Sequence, residues 1–290
     1  MSRLRIAHLS DPHLGPLPRP PLRALLSKRM FGYANWLRSR ARALVPGVLE
    51  ALQEDLYAHR PDHICVTGDL VNIAMAHEYD TAARFLAALG NPDDVSCVPG
   101  NHDAYVPGGA ARAASAWAAH MSGDDGRQRF PFLRRRGGVA LIGVSTAIAT
   151  PPFSARGRVG REQRAALRTM LDKADDAFKV VLIHHPPDRR LTPWRRALAD
   201  GRAVADVLSD GCANLVLHGH NHEASEASLR TATGKATLLG VPSASSDGVK
   251  HPPAGYALID IDTARGEVRV VRRAMVGPSA EFGQVARFDL

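Results

Sequence analysis

The chain has 290 residues, 45% of them hydrophobic, and a formal net charge of +8. A chain of this length can bury a full hydrophobic core, and we expect one domain that spans residues 1–290. No stretch approaches the roughly 18 consecutive apolar residues of a transmembrane helix, which argues against a membrane-spanning class. The excess of positive charge predicts an anionic partner: phosphate groups, nucleic acid or an acidic membrane surface.

The cysteine pattern and the first ten residues bear on the cellular compartment. Cys65, Cys97 and Cys212 lie far apart, which predicts small buried thiols and argues against a disulfide framework or a zinc finger. Residues 1–10 alternate like a strand and lack the continuous apolar core of a signal peptide. These features predict a cytoplasmic protein with reduced thiols.

The first elements in chain order are a strand, a proline-rich loop and a long helical region. The alternation over residues 4–10 predicts the strand, and residues 16–21 form the loop. Apolar residues then recur at helical spacing over 22–37 and again over 44–56, with a break expected at Pro46. We therefore interpret residues 19–58 as a basic helical insertion.

Residues 19–42 contain seven basic side chains and no acidic one, interleaved with Phe31, Tyr33 and Trp36. This composition is typical of a basic amphipathic segment that rests on the inner face of a membrane. A packed helix with a solvated basic face is the interpretation that the composition favours over this one, and a segment that reaches nucleic acid is the least favoured of the three. The first interpretation predicts a peripheral membrane contact through this segment.

Strands and helices alternate through the middle of the chain, and strands alone follow. Helices are expected over 78–89, 110–120, 161–172 and near 202–208. Strands are expected over 62–67, 95–98, 130–134, 139–145, 179–183, 227–230, 236–241, 256–261 and 268–273. The pattern predicts an α/β protein with two mixed sheets face to face, in which residues 224–290 are mostly strands of the second sheet.

Polar clusters follow several of these predicted strands. They are Asp11-Pro12-His13, Gly68-Asp69, Gly100-Asn101-His102-Asp103, His184-His185 and Gly219-His220-Asn221-His222. Because open α/β sheets carry their sites at the carboxyl ends of strands, these clusters are expected to converge. Imidazole, carboxylate and amide oxygen ligands without thiolates suit manganese, iron or zinc and argue against a structural zinc site.

In this order, the clusters resemble the signature of the calcineurin-like metallophosphoesterases, in particular its bacterial small-molecule phosphodiesterase branch. The resemblance implies a four-layer α/β/β/α sandwich and two divalent or trivalent metal ions. It also implies the ligands: Asp11, His13, Asp69 and His222 for one ion, and Asp69, Asn101, His184 and His220 for the other, with Asp69 bridging. His102 would lie beside the leaving group without binding a metal.

These assignments predict a two-metal phosphodiesterase that acts on a small anionic phosphoester. In two-metal sites a bridging hydroxide can attack phosphorus in line, and His102 would protonate the departing oxygen. The alternatives are a phosphomonoesterase, or a nucleotide-lipid pyrophosphatase at the membrane surface. A nuclease and a non-catalytic metal-binding scaffold are less favoured, because the ligand set is intact.

Overall fold

The computed structural model describes residues 3–40, 47–174, 176–277 and 280–290, and it contains two six-stranded mixed sheets. The strands are β1 (Arg3–Leu9), β2 (His63–Val66), β3 (Val95–Cys97), β4 (Phe132–Arg136), β5 (Val139–Val144), β6 (Phe178–Ile183), β7 (Leu215–His218), β8 (Ser225–Thr231), β9 (Gly234–Gly240), β10 (Gly255–Asp262), β11 (Glu267–Val276) and β12 (Glu281–Asp289). The first sheet has the order β12-β11-β10-β1-β2-β3, and the second has the order β4-β5-β6-β7-β9-β8.

Helices cover the outer faces of both sheets. They are α1 (Leu22–Leu25), α2 (Arg29–Asn35), α3 (Val48–Ala58), α4 (Ala76–Leu89), α5 (Gly109–Ala116), α6 (Arg161–Lys173) and α7 (Gly201–Asp210). Leu52 of α3 and Leu86 of α4 pack in one core with Val66 of the first sheet. The side chains of Ile6 and Leu182 share a second core between the two sheets.

A third core lies outside the second sheet, where Leu167 of α6 and Leu208 of α7 pack with Val181. Three stacked apolar layers therefore separate four layers of secondary structure. The predicted four-layer α/β/β/α sandwich is confirmed.

The parallel strands determine where the polar loops lie. β1, β2 and β3 are parallel in the first sheet, and β5, β6, β7 and β9 are parallel in the second. The loops after β1, β2 and β3 therefore leave one edge of the first sheet, and those after β6 and β7 leave one edge of the second. Backbone hydrogen bonds join neighbouring loops, from Asp11 N to Gly68 O at 3.0 Å and from Gly219 N to His184 O at 3.1 Å.

The predicted strands after residue 224 are present, but their assignment to a single second sheet is wrong. Only β8 and β9 join the second sheet, whereas β10, β11 and β12 extend the first. β10 pairs antiparallel with β1, for example Ile6 with Ile259. β12 was not predicted, because none of its side chains is fully buried and its apolar residues do not alternate.

The helical region expected over 22–37 is broken into short pieces. α1 ends after one turn, α2 covers two turns, and the turn Trp36–Arg40 has π-helical hydrogen bonding. The break expected at Pro46 lies outside the described residues. Trp36 is buried, so an aromatic residue of this segment anchors it to the body of the protein.

Two expectations from composition have mixed outcomes. Cys65 and Cys97 are free and buried as predicted, whereas Cys212 is free but partly exposed. Across the described ranges, none of the helices combines the length and apolarity needed to cross a membrane.

Replacing Asp55 with alanine should lower the free energy of unfolding by about 3 kcal/mol at neutral pH. The Asp55 carboxylate on α3 accepts hydrogen bonds from Arg273 at 2.5 and 2.6 Å and from the Tyr256 hydroxyl at 2.6 Å. Burial opposes ionisation of Asp55, but these bonds outweigh it and hold the pKa below its ordinary value. The alanine leaves the Arg273 guanidinium, only 13% exposed, without its carboxylate.

Chemical denaturation at several pH values measures this effect. The pKa of Asp55 is lower in the folded state than in the unfolded state, where it is about 3.9. The ionised carboxylate therefore contributes fully to the free energy of unfolding above the unfolded-state pKa, and this contribution is lost as the pH falls through the folded-state pKa. The difference between wild type and Asp55→Ala should therefore shrink in acid. Glu54→Ala, at an exposed position on the same helix, is the control. Its free energy of unfolding should stay within about 0.5 kcal/mol of the wild-type value. An equal loss in both variants would contradict the assignment.

Candidate metal centre

The candidate ligands lie on tight loops directly after the parallel strands. Five of them have positive φ angles: Asp11 (53°), His13 (40°), Asp69 (56°), His220 (70°) and His222 (58°). Non-glycine residues adopt this left-handed region infrequently, and such strained positions concentrate at functional sites. The backbone is therefore bent sharply at the points where the polar side chains are presented.

Two motif glycines allow these loops to approach each other. A Cβ at Gly219 would overlap the side chains of Ser10 and Asp11, and a Cβ at Gly100 would overlap the Asp69 carboxylate. The glycines thus bring loops from different strands to within contact distance. This close approach explains why glycine precedes the polar residues in both motifs.

One group of side chains forms around the loop after β1. The Nε2 atoms of His13 and His222 are 3.3 Å apart, and His222 Nε2 lies 3.3 Å from Asp11 Oδ1. His13 Nε2 lies 3.9 Å from Asp69 Oδ2. Four of the predicted ligands therefore direct nitrogen and oxygen atoms at one small volume.

A second group forms around His184. Its Nε2 lies 3.4 Å from Asp69 Oδ2 and 3.3 Å from Asn101 Oδ1. The same Asp69 oxygen thus faces both groups. The backbone N–H of His102 donates to the other oxygen, Oδ1, at 2.7 Å and holds the carboxylate in this orientation.

His220 completes the second group, because its ring centroid lies 5.1 Å from that of His184. His220 Nε2 donates to the Arg196 carbonyl at 2.9 Å, which leaves Nδ1 as its metal-ligating atom. Burial, together with His185 and His184, lowers the pKa of His220 well below its ordinary value, so the ring is neutral. His185 lies against His220, with 4.2 Å between ring centroids and 39° between the ring planes.

The charge balance of the centre favours a bound cation. Burial opposes ionisation of Asp69, but His184, His102 and His13 hold the pKa of this carboxyl well below its ordinary value. Burial also opposes protonation of His184, yet the two carboxylates raise its pKa. Oδ1 of Asp11 is buried, and none of the described residues donates a hydrogen bond to it. Two buried carboxylates surrounded by imidazoles and an amide oxygen fit metal ions of the manganese, iron or zinc type.

His102 lines the cavity beside the two groups, and its ring is anchored on two sides. Nδ1 donates to the carbonyl of Asn72 at 2.5 Å, and the ring stacks on Tyr105 at 5.4 Å between centroids. The backbone carbonyl therefore fixes the tautomer with the proton on Nδ1. Nε2 is then the nitrogen that can exchange a proton with a substrate.

Asp103 is a positioning residue that the sequence analysis left without a role. Its buried carboxylate accepts from the backbone N–H groups of Asp69 at 2.9 Å, Leu70 at 2.9 Å, Val71 at 3.1 Å and Gly100 at 2.7 Å. It therefore fastens the loop after β2 to the loop after β3. Its position directly after Asn101 and His102 in the motif was the only indication in the sequence. The fold is needed to show that this carboxylate accepts from backbone N–H groups and does not face the cavity.

The centre lies at the bottom of a cavity of about 470 Å³. Arg38, Arg196 and Lys250 line it, together with Asp247 and the hydroxyls of Ser243, Ser245 and Ser246. His251 also lines it and contacts His222 at 5.4 Å between ring centroids. Arg38 belongs to the basic segment 19–42, whereas Arg196, Lys250 and His251 belong to no recognisable motif, and the sequence analysis assigned none of the four to the site. Together they make the walls predominantly cationic, as an anionic substrate requires.

Comparisons with known proteins agree with this centre. Residues 4–224 match the family model of calcineurin-like phosphoesterases. Glycerophosphodiester phosphodiesterase GpdQ of Enterobacter lignolyticus is 26% identical over 238 residues, which are 79% of this chain and 74% of that protein.

Two solved structures show the same fold. Purple acid phosphatase PPD1 from yellow lupin seeds has a TM-score of 0.63 and 12% identity, with 99% of this chain and 53% of that chain covered. The structure of PhoD has a TM-score of 0.62 and 12% identity, with 99% of this chain and 69% of that chain covered. The family match runs from β1 to the end of the loop after β7 and includes every candidate ligand. The chain therefore belongs to the calcineurin-like phosphoesterases.

Proposed function

We propose that this protein is a two-metal phosphodiesterase that hydrolyses a small anionic phosphodiester. The observation that carries the proposal is the position of Asp69, whose Oδ2 faces His13 on one side and His184 on the other. The similarity to a glycerophosphodiester phosphodiesterase supports the diester preference. The cationic cavity walls support an anionic substrate.

Two sets of ligands would hold the metal ions and share one carboxylate. The sets are Asp11, His13, Asp69 and His222 for one ion, and Asp69, Asn101, His184 and His220 for the other. When bound, such ions polarise phosphoryl oxygens and make water more acidic. Asn101 contributes a neutral oxygen, so the protein ligands leave positive charge for the phosphate to balance.

The protein's own groups then bind and orient the ester. Arg38, Arg196 and Lys250 attract the phosphate into the cavity, where the Ser246 hydroxyl, which accepts from the Gly248 N–H, can donate to its oxygens. His102 holds a proton on Nδ1 through the Asn72 carbonyl, so Nε2 can deliver a second proton to the departing alkoxide. General acid catalysis of this kind typically contributes about 10²–10⁴-fold.

A metal-reconstituted substrate screen tests the proposal. The protein is stripped with a chelator, loaded with manganese, iron or zinc, and assayed on bis(p-nitrophenyl) phosphate, p-nitrophenyl phosphate and a nucleotide pyrophosphate. We expect turnover only after loading and the highest kcat/KM for the diester. Preference for the monoester or the pyrophosphate would replace the diester assignment, and inactivity with every metal would favour a non-catalytic scaffold.

Asn101→Ala provides the matched inactive variant. Removing the Oδ1 that lies 3.3 Å from His184 Nε2 should abolish turnover while the circular dichroism spectrum stays unchanged. Asn91→Ala, an exposed asparagine before β3, should retain full activity. Equal activity of the two variants would contradict the role of Asn101.

A further inference from the structure

Most of the exposed large apolar side chains lie on segments that also contribute residues to the cavity wall. Between residues 22 and 37, five large apolar side chains are exposed: Leu22, Leu26, Met30, Phe31 and Leu37. Three more lie on other loops at the mouth: Phe153, Trp194 and Val249. We call these eight residues the apolar rim. Among the described residues only Tyr57, Val276 and Val285 are further exposed large apolar side chains.

Contacts tie the segments of the apolar rim together. The rings of Phe31 and Phe153 are 4.9 Å apart between centroids. Lys28 Nζ donates to Thr150 Oγ1 at 2.8 Å and to the Ser154 carbonyl at 3.1 Å. The next loop is joined through the N–H of Ala155, which donates to the Arg195 carbonyl at 3.1 Å. The segment 22–38 and the loops around 153 and 194 therefore form one connected border.

The same segments continue into the cavity wall. Asn35 and Arg38 follow Phe31 on the first segment, Ala155 follows Phe153, and Arg196 follows Trp194. Val249 lines the cavity itself. The apolar rim thus lies on segments that also form part of the cavity wall.

Several side chains of the apolar rim are more than two-thirds exposed, so they contribute little to the hydrophobic core. Leu22, the first residue of α1, is 82% exposed, and Leu26, which follows the last residue of α1, is 89% exposed. Phe153 is 74% exposed and Trp194 is 68% exposed. Contiguous exposed apolar surface on a soluble protein marks an interaction site.

The charges of the rim indicate what binds there. Arg19 and Arg23 are exposed beside Leu22, and no acidic residue lies between 19 and 42. Arg195 lies over the Trp194 ring, with its guanidinium carbon 5.4 Å from the ring centroid. Asp247, two residues before Val249, is an acidic side chain in the cavity wall. Leucine, tryptophan and arginine in one exposed surface are typical of the interface of an anionic bilayer.

We propose that the apolar rim docks on an anionic lipid bilayer, with the mouth of the cavity facing the membrane. The exposed arginines among the apolar side chains favour an anionic bilayer, which would present phosphoester headgroups to the adjoining cavity. The docking itself depends only on the rim. Its meaning for catalysis rests on the proposed phosphodiesterase function, and the substrate class it implies is a phosphodiester carried on a lipid.

Cosedimentation with vesicles tests the docking without any turnover. We expect the metal-loaded protein to sediment with equal mixtures of phosphatidylglycerol and phosphatidylcholine, and to stay in solution with phosphatidylcholine alone. Leu22→Ser/Leu26→Ser should weaken the partition coefficient by more than about tenfold. Arg19→Gln/Arg23→Gln should weaken it by about fivefold for each arginine, with a smaller loss at high salt.

Matched controls lie on the strands at the edge of the first sheet. Val285→Ser on β12 removes an exposed apolar side chain, and Arg265→Gln removes an exposed charge in the turn between β10 and β11. Both should bind vesicles like the wild type. All variants are also assayed on bis(p-nitrophenyl) phosphate, so a failure of the phosphodiesterase proposal is seen separately from a failure of docking.

Trp194 reports the orientation. Trp36 and Trp117 are buried, so vesicles with brominated acyl chains should quench mainly Trp194, and Trp194→Phe should abolish the quenching. Sedimentation without this quenching would overturn the orientation. Absence of vesicle binding by the wild type, or equal binding by Leu22→Ser/Leu26→Ser, would overturn the proposal and favour a protein partner for the rim.

Discussion

Asp69→Asn is expected to lower kcat/KM on the preferred phosphodiester by roughly 10³–10⁴-fold, because it removes the carboxylate shared by both ligand groups. Oδ2 of Asp69 lies 3.4 Å from His184 Nε2 and 3.9 Å from His13 Nε2. An amide nitrogen at that position cannot bind a metal ion, and the lost negative charge weakens both sites. Metal content after reconstitution should fall from two ions per chain.

Asparagine is the suitable substitution because it tolerates the left-handed backbone of residue 69, where φ is 56°. Its remaining oxygen can still accept from the His102 backbone N–H, so the loop should keep its shape. Elemental analysis and steady-state kinetics measure the two effects. Asp80→Asn, an exposed position on α4, should match the wild type in both. Full metal content and activity in Asp69→Asn would refute the shared-carboxylate arrangement.

His102→Gln is expected to reduce turnover by about 10²–10⁴-fold on a diester with an alkyl leaving group. The metal content should stay unchanged, since His102 is assigned to the leaving group and not to the ions. An alkoxide needs a proton as it departs, whereas p-nitrophenolate is stable without one. The loss on bis(p-nitrophenyl) phosphate should therefore be much smaller.

The leaving-group comparison separates proton transfer from a structural role. If His102 only supported the loop through Asn72 and Tyr105, both substrates would lose the same factor. Loss of metal from His102→Gln would instead make it a ligand, as its grouping with His13 and Asp69 within 4.8 Å allows. His59→Gln, a half-buried histidine at the end of α3, is the control and should change neither turnover nor metal content.

Much of the site could be predicted because its residues occur in short local motifs at the ends of apolar runs. Each of Asp11, Asp69 and Asn101 follows a run whose composition indicates a buried strand. Parallel strands in layered α/β folds then bring these ends together without further information. The structure accordingly brings all seven expected ligands to one place, although their roles stay predictions.

The residues outside the motifs could not be predicted in the same way. Arg196 and His251 reach the cavity from loops whose course depends on packing far along the chain. Asp103 was visible, but its function depends on which backbone N–H groups the fold places around it. A local sequence pattern predicts which element a side chain lies on and which face it occupies. It does not predict which residues from distant parts of the chain will contact that side chain.

The prediction that the strands after residue 224 belong to the second sheet was wrong because it also depended on long-range pairing. The strands β9 and β10 have similar apolar patterns, yet β9 pairs with β7 and β10 pairs with β1. Hydrogen-bonding partners of strands far apart in sequence cannot be inferred from alternation, because either sheet buries one face of each strand equally well. The prediction of a long helical region was wrong because the same spacing of apolar residues over 22–37 is compatible with short helical turns that a buried Trp36 anchors.

The placement of β1 between β2 and β10 has a consequence for biosynthesis. The loop with Asp11 and His13 leaves the ribosome early, but its strand obtains its second neighbour only when residues 255–262 emerge. At a translation rate of about 5–20 residues per second, that delay is roughly 10–50 s. During that interval the nascent protein would expose the unpaired backbone groups of β1 and an incomplete set of metal ligands, so chaperones and the timing of metal delivery would matter most then.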